Sequence, residues 1–287
     1  MKPSMKISLV PFNVAHSAVS EEGNMERVCV GYFRNAIERG FGHSVKRYTD
    51  LVVFPELWTY DLVNMMLPRM SIANIAKMTD SFVEAAIRQS IALNTSIMLG
   101  SFFRQTEHGI KNSAYIRFPN GAPIIQDKLF LTPEEKKWGI VPGDQLNVFD
   151  TQFGRVVILI GHDSEFPEIS HMLASENIDL IIIPSLTDAF GYTRVRRCAK
   201  ALAVQHHCYV AVVGTARSRG SRYRQIKGGA AFYAPADYGF YKMPTSPYEP
   251  LRYVLDMKML RESKALSDIE YPARDQADRM ITLVKHG

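Results

Sequence analysis

A corner at residues 156–168, V-V-I-L-I-G-H-D-S-E-F-P-E, narrows the folds open to this chain more than any other stretch. The apolar, β-branched run 156–160 reads as a buried strand. It stops abruptly at Gly161-His162-Asp163. Phe166-Pro167-Glu168 then reads as a helix start, with Pro167 in the first turn, where a missing N–H costs nothing. A strand, a tight turn and a helix in succession belong to an α/β chain. Such corners either simply connect elements or project reactive groups beyond a strand end.

The rest of the chain supports an α/β reading. Strands are expected at 6–12, 51–54, 96–103, 113–118, 123–126, 180–183, 208–213, 230–234 and 253–259. Segments 146–153 and 155–160 read as a hairpin closed near Gly154. Helices are expected at 25–39, between Asn24 as N-cap and Gly40 as stop, and at 71–93, after Phe166 and at 193–207. In the second of these, Ile72, Ile75, Phe82, Ala85, Ala86 and Ile87 are the expected buried face. Pro119-Asn120-Gly121 reads as a turn, and Thr132-Pro133-Glu134-Glu135 as a capped helical turn. Alternating strands and helices with several hairpins imply two sheets, each covered by helices. No linker, repeat or low-complexity tract interrupts the chain. One domain over 1–261 is expected, with a polar tail, 262–287, that packs on the domain or on a partner subunit.

Composition sets limits on function. The net charge of +5 permits an anionic ligand without demanding nucleic acid. Cys29, Cys198 and Cys208 form no C-x-x-C pair, which argues against a disulfide framework or a metal site. The N-terminal apolar run is short and broken by Pro11, and no stretch approaches a membrane span. A cytoplasmic protein with no membrane partner is expected. Positions 189–236 contain no acidic residue but hold Arg194, Arg196, Arg197, Lys200, Arg217, Arg219, Arg222, Arg224 and Lys227. This segment reads as a solvated or subunit-facing surface, or as a rim that attracts an anionic ligand. The tract R-S-R-G-S-R-Y-R offers charge to RNA, but no nucleic-acid motif accompanies it.

Two further blocks join the corner. Residues 51–58, L-V-V-F-P-E-L-W, end an apolar run in Pro55-Glu56, and residues 127–139, D-K-L-F-L-T-P-E-E-K-K-W-G, offer Lys128, Glu134 and Glu135. The three blocks, in this order and spacing, resemble the nitrilase (carbon–nitrogen hydrolase) superfamily over nearly the whole chain. The resemblance implies a four-layer α-β-β-α sandwich, a homodimer or larger homo-oligomer, no cofactor and no metal. It also implies hydrolysis of amide, nitrile or carbamoyl C–N bonds in small molecules, with room for anionic ones. By the same resemblance Glu56 is the general base and Lys128 the oxyanion stabiliser, aided by the His162 backbone N–H. A second glutamate, Glu135 with Glu134 as its alternative, positions these groups.

The family's nucleophilic Cys falls at Gly161, which has no side chain. Covalent catalysis at that position is therefore unavailable. Ser164 and the His162 side chain are expected to point elsewhere, while a water activated by Glu56 has room where the side chain is missing. Cys208 reads as a core residue. Cys198, beside Arg196 and Arg197, is the more reactive thiol if those charges lower its pKa. The segment T-D-A-F-G-Y-T-R-V-R-R, which borders the pocket in one branch of the family, contributes Asp188, Tyr192 and Arg194, and with His162 these are the expected substrate-binding residues. Two functions remain open: a hydrolase altered at one position, or a pseudoenzyme that keeps the pocket for ligand binding or assembly.

Overall fold

The computed structural model describes residues 1–11, 49–60, 70–92, 96–118, 123–215, 226–237, 239–240 and 242–266. In chain order the first elements are β1 (Ser4–Leu9), β2 (Leu51–Val53), α1 (Ile72–Ala92), β3 (Ser96–Thr106), β4 (Gly109–Arg117), β5 (Ile124–Asp127) and α2 (Pro133–Lys137). Next come β6 (Val148–Thr151), β7 (Gly154–Ile158), a 3-10 turn (Gly161–Glu165), α3 (Pro167–Leu173), β8 (Leu180–Ser185) and α4 (Ala189–Gln205). The last are β9 (Tyr209–Gly214), β10 (Gly229–Tyr233), β11 (Thr245–Ser246), β12 (Leu251–Asp256) and α5 (Met257–Leu266).

The strands form two six-stranded sheets, ordered β12-β1-β2-β3-β4-β5 and β11-β10-β9-β8-β7-β6. β1, β2 and β3 run parallel, as do β7, β8 and β9, and the outer pairs are antiparallel. The alternation of side chains along each strand sorts the core into layers. Leu51 and Val53 of the first sheet, with Met5, Ile7 and Leu9, face Val156, Ile158, Leu180, Ile182 and Ala211 of the second in one inter-sheet core. Val52 and Ile97 point the other way, against Ile75, Ala76 and Ala86 of α1. On the far side Val157, Ile181, Ile183, Val210 and Val212 pack on α3 and α4. The result is the expected four-layer α-β-β-α sandwich. These strands are continuous apolar runs because both of their faces are covered.

Some boundaries differ from expectation for local reasons. α4 begins at Ala189 rather than 193, because the Asp188 carboxylate caps it by accepting from Gly191 N at 2.8 Å. The strand expected at 253–259 ends at Asp256, whose carboxylate accepts from Met259 N at 2.8 Å and starts α5 instead. α5 runs through the expected domain boundary after Arg261. Its Lys264 donates to Asp179 Oδ1 at 2.9 Å and to the Ile178 carbonyl at 2.7 Å, fastening the helix to the second sheet. In α1, Ile75 and Ala86 are buried and Ile72 and Ile87 half-buried. The expected helix at 25–39, the turn at 119–121, residues 267–287, the side chains of Phe82 and Ala85, and Cys29, Arg217, Arg219, Arg222 and Arg224 lie outside the described residues. Among the described residues no helix is long and apolar enough to cross a membrane.

Candidate active site

Glu56 stands just past the end of β2, on a turn fixed by β3. Phe54 N donates to Met98 O at 3.0 Å, Leu57 N to Ser101 O at 2.9 Å, and Trp58 Nε1 to Leu99 O at 2.8 Å. β3 is irregular between Met98 and Ser101, and Gly100 sits there with φ +69°. A Cβ on Gly100 would run into the Pro55 carbonyl, so the close approach of the two backbones requires glycine. Leu57 takes φ 45°, a left-handed conformation that costs a non-glycine residue about 1–2 kcal/mol. The surrounding hydrogen bonds hold it there and thereby aim the Glu56 carboxylate inward.

Lys128 follows β5. Its N–H donates to Asn112 O at 2.8 Å and its carbonyl accepts from Gly143 N at 2.8 Å. α2 begins five residues further on with a capping box, in which Glu135 N donates to Thr132 Oγ1 and Glu135 Oε2 accepts from Thr132 N at 2.9 Å. The box turns Glu135 inward, where it is 2% exposed, while Glu134 faces solvent. Of the two candidates, Glu135 is therefore the one that reaches Lys128.

These side chains converge in a buried cluster. Lys128 Nζ donates to Glu56 Oε1 at 2.7 Å and lies 3.0 Å and 2.9 Å from the two Glu135 carboxylate oxygens. The Asn112 amide bridges the same pair, Nδ2 donating to Glu56 Oε1 at 3.0 Å and to Glu135 Oε1 at 2.8 Å. Two carboxylates therefore share one buried cation. Burial raises the Glu56 pKa, and the opposing pull of Lys128 does not restore it. Burial acts the same way on Glu135 but is outweighed by Lys128, Asn112 and Thr132, so its pKa is lowered. Burial works against the Lys128 charge too, yet the two carboxylates overcome it and hold the ammonium above the usual lysine range.

The second sheet meets this cluster at the end of β7. Gly161 adopts φ +45°, and Ser164 Oγ donates to its carbonyl at 2.7 Å, turned back on its own loop as expected. Asp163 accepts from Leu129 N at 3.1 Å, Phe130 N at 2.7 Å and Ile160 N at 3.1 Å. It thereby ties the glycine turn to the segment carrying Lys128. Burial pushes the Asp163 pKa up to about 7, against the pull of Lys128 and the donated N–H groups. Glu56 spans the two sheets, its Oε2 accepting from Leu186 N at 2.8 Å just past β8. An ideal Cβ on Gly161 would lie 2.5 Å from that same Oε2, so the space beside the glycine is bordered by the general-base candidate.

The other expected residues form separate groups. His162 Nδ1 lies 3.3 Å from Glu165 Oε1 and its ring meets Phe166 edge-on, while Arg194 Nε bonds the other oxygen of Glu165 at 2.7 Å. Asp188 caps α4. Tyr192 lies beneath two cations, Arg196 and Lys227. Cys208 is a core residue, and burial pushes its thiol up to about 12. The expected lowering at Cys198 is overturned: burial and Glu165 raise its pKa despite Arg194. Among the described residues no group of His, Cys, Asp and Glu is arranged to hold a metal ion.

Asn112, Asp163 and the Leu186 N–H escaped the sequence reading. Asn112 left a signal, since asparagine is disfavoured within a strand and K-N-S-A-Y-I otherwise reads as one. Asp163 followed the corner in plain view, but its partners lie on a distant segment. The Leu186 contact is main-chain and carries no residue signature.

Comparison with known proteins agrees with this fold. The family model described as carbon-nitrogen hydrolase matches residues 19–236. A probable hydrolase of Bacillus subtilis (strain 168), YhcX, is 33% identical over 219 residues, covering 72% of this chain but 42% of its own length. The chain thus spans less than half of that relative. Nit3 of Saccharomyces cerevisiae, a member of branch 10 of the nitrilase superfamily, superposes with a TM-score of 0.70 at 19% identity, covering 95% of this chain and 97% of Nit3. An amidase from Nesterenkonia sp. AN1, solved after Michael addition of acrylamide at its active-site cysteine, gives 0.65 at 17% identity over 91% and 97% of the two chains. With the family model covering most of its length, the chain belongs to the carbon–nitrogen hydrolase family.

Proposed function

We propose that this chain keeps the family's pocket for a small amide, nitrile or carbamoyl compound and performs no thiol-mediated hydrolysis with it. Gly161 carries the reading. The covalent route needs a thiolate at this position to attack the carbon, displace the amine and form a thioester that water then cleaves. The Nesterenkonia amidase has such a cysteine; this chain has a residue with no side chain. Neither Cys198 nor Cys208 belongs to the cluster around Lys128.

The other parts of the machinery support a retained pocket. Glu56 is placed to take and return a proton, and burial makes it a stronger base than a free carboxylate. Lys128 and the His162 backbone N–H are the groups assigned to a developing oxyanion, and Glu135 positions Lys128. Loss of a nucleophile from such a unit costs several orders of magnitude in rate and leaves what binding and oxyanion donors provide.

A second reading keeps Glu56, whose Oε2 borders the place of the missing Gly161 side chain, as the base. Glu56 would there activate a water that attacks the substrate directly, without a covalent intermediate.

Ammonia release from a panel of small amides, nitriles and N-carbamoyl compounds separates the readings. The chain as it stands is expected to be silent and Gly161→Cys to turn over. Equal turnover in both forms would overturn the silent-pocket reading in favour of the water route. Silence in both, with no panel member raising the melting temperature of either, would remove the retained pocket altogether.

A further inference from the structure

We propose that Ser263, His207 and Asp237 form a second nucleophilic centre, in which Ser263 accepts acyl groups from small activated esters such as aryl esters. The three residues come from separate parts of the fold. His207 lies between α4 and β9, Asp237 in the loop after β10, and Ser263 on α5. Ser263 Oγ lies 2.8 Å from His207 Nε2, and His207 Nδ1 lies 3.1 Å from Asp237 Oδ2. A hydroxyl, a ring that can take its proton and a carboxylate behind the ring together activate a serine, whatever the fold. Burial holds His207 below the usual histidine range against the pull of Asp237, so the ring is neutral at pH 7 and carries one N–H. On Nε2, that hydrogen would leave the Nδ1 lone pair facing a carboxylate. On Nδ1, it faces Asp237 and leaves Nε2 to accept the Ser263 hydroxyl, which satisfies both sides.

The backbone gives an independent sign. His207 is the first residue past the C-cap of α4 and takes φ 45°. That left-handed position usually falls to glycine, because it strains a residue with a Cβ. An imidazole kept there, 2% exposed and held by two partners, points to a task for the side chain. Ser263 is half-buried, so its hydroxyl is not sealed in the core. The centre is also remote from Glu56. β8 and β9 run parallel, and His207 precedes β9 whereas Leu186, bonded to Glu56, follows β8. A six-residue strand sets those ends about 20 Å apart. Ser263 therefore does not stand in for the thiol missing at Gly161, and the proposal is independent of the function proposed above.

In the reaction, Ser263 Oγ attacks the ester carbon while its proton passes to His207 Nε2. The aryl oxygen leaves and takes that proton, giving acyl-Ser263 and a phenol. A water deprotonated by the same nitrogen then cleaves the acyl-serine to a carboxylic acid and the free hydroxyl. An aryl ester suits the centre because its leaving group departs readily once the nucleophile is activated.

The full chain is treated with diisopropyl fluorophosphate, which phosphorylates activated serines with loss of fluoride, and the adduct is located by peptide mass mapping. Hydrolysis of p-nitrophenyl acetate is followed in parallel. One adduct at Ser263 is expected, absent from Ser263→Ala. His207→Asn keeps a side chain that tolerates the left-handed backbone but is no base, and should slow both reactions about 100-fold or more. Asp237 acts through the ring, so Asp237→Asn should slow both and Asp237→Glu should restore part of the rate at an equal melting temperature. If His207→Asn fails to fold, the position of the adduct and its dependence on Asp237 decide the matter. No adduct, an adduct on another residue, or labelling of Ser263 at the same rate in His207→Asn or Asp237→Asn would overturn the assignment and leave the cluster as a fastening for α5.

Discussion

The two sheets contribute unequally to the site. The sheet from β12 to β5 supplies the side chains: Glu56 after β2, Asn112 in β4, Lys128 after β5, and Glu135 on the helix that follows. The sheet from β11 to β6 supplies mainly backbone: the Leu186 N–H and the Gly161 turn. Asp163 is the exception, and it spends its carboxylate on N–H groups of Leu129, Phe130 and Ile160 rather than on the charged cluster. Each charged group on the first side is held by several partners at once, so none can change without stranding another. The turn on the second side is held by Asp163, Ser164 and the strand before it, with no contribution from the side chain at 161. That is why the position assigned to the nucleophile can be glycine while the acid–base half stays assembled.

The largest test of this asymmetry removes Lys128. Lys128→Ala leaves Glu56 and Glu135 buried without a counter-ion, and breaking a buried ionic unit from one side costs about 3–5 kcal/mol. Urea denaturation should show that loss at neutral pH. A change below about 1 kcal/mol, on the scale of an exposed ion pair, would mean that the first sheet's cluster is no more constrained than a surface.

A smaller effect compares two glycines, one from each side. A Cβ on Gly100 meets the Pro55 and Phe54 carbonyls, which are backbone and cannot swing aside, whereas a Cβ on Gly161 meets the Glu56 side chain. Both positions have positive φ, which adds about 1–2 kcal/mol for a substituted residue. Gly100→Ala should therefore cost about 1–3 kcal/mol more than Gly161→Ala, the range for overpacking. Equal losses in melting experiments would show that Glu56 is as immovable as main chain, and would weaken the expectation that Gly161→Cys can be accommodated.

The sequence disclosed the two sides to different degrees. Glu56, Lys128 and Gly161 were legible because each ends or follows an apolar strand in a recognisable block. Glu135 could be separated from Glu134 only once the capping box turned one of them inward. The layered architecture followed from the alternation of elements together with the family resemblance. Asn112 and Leu186 were not legible, since their roles arise from register between strands that are distant in sequence. The four expected substrate-binding residues scattered into a Glu165 cluster, a helix cap and a cation-bearing ring. Motif adjacency along α4 does not reveal which way each side chain points.

The smallest effect concerns titration, and here the sides oppose each other. Burial raises the Glu56 pKa above its ordinary value of 4.5, so the native state keeps a proton that the unfolded chain has released. The stability this provides is complete below the unfolded value and is lost as pH rises through the folded one. His206, on the second side, behaves in reverse. Burial, reinforced by the Lys264 charge, depresses it from 6.5 to about 4. The unfolded chain therefore takes up the proton first, and stability is lost as pH falls from about 6.5 to about 4. Urea midpoints measured across this range should show His206→Gln flattening the acid side of the profile by about 1 kcal/mol or less, because the ring is only half-buried. Glu56→Gln should flatten the opposite side, on top of a pH-independent loss from its altered bonds to Lys128 and Leu186. If both variants flattened the same side, the two sheets would not be electrostatically opposed, and the division between a charged half and a backbone half would fail where it is most easily measured.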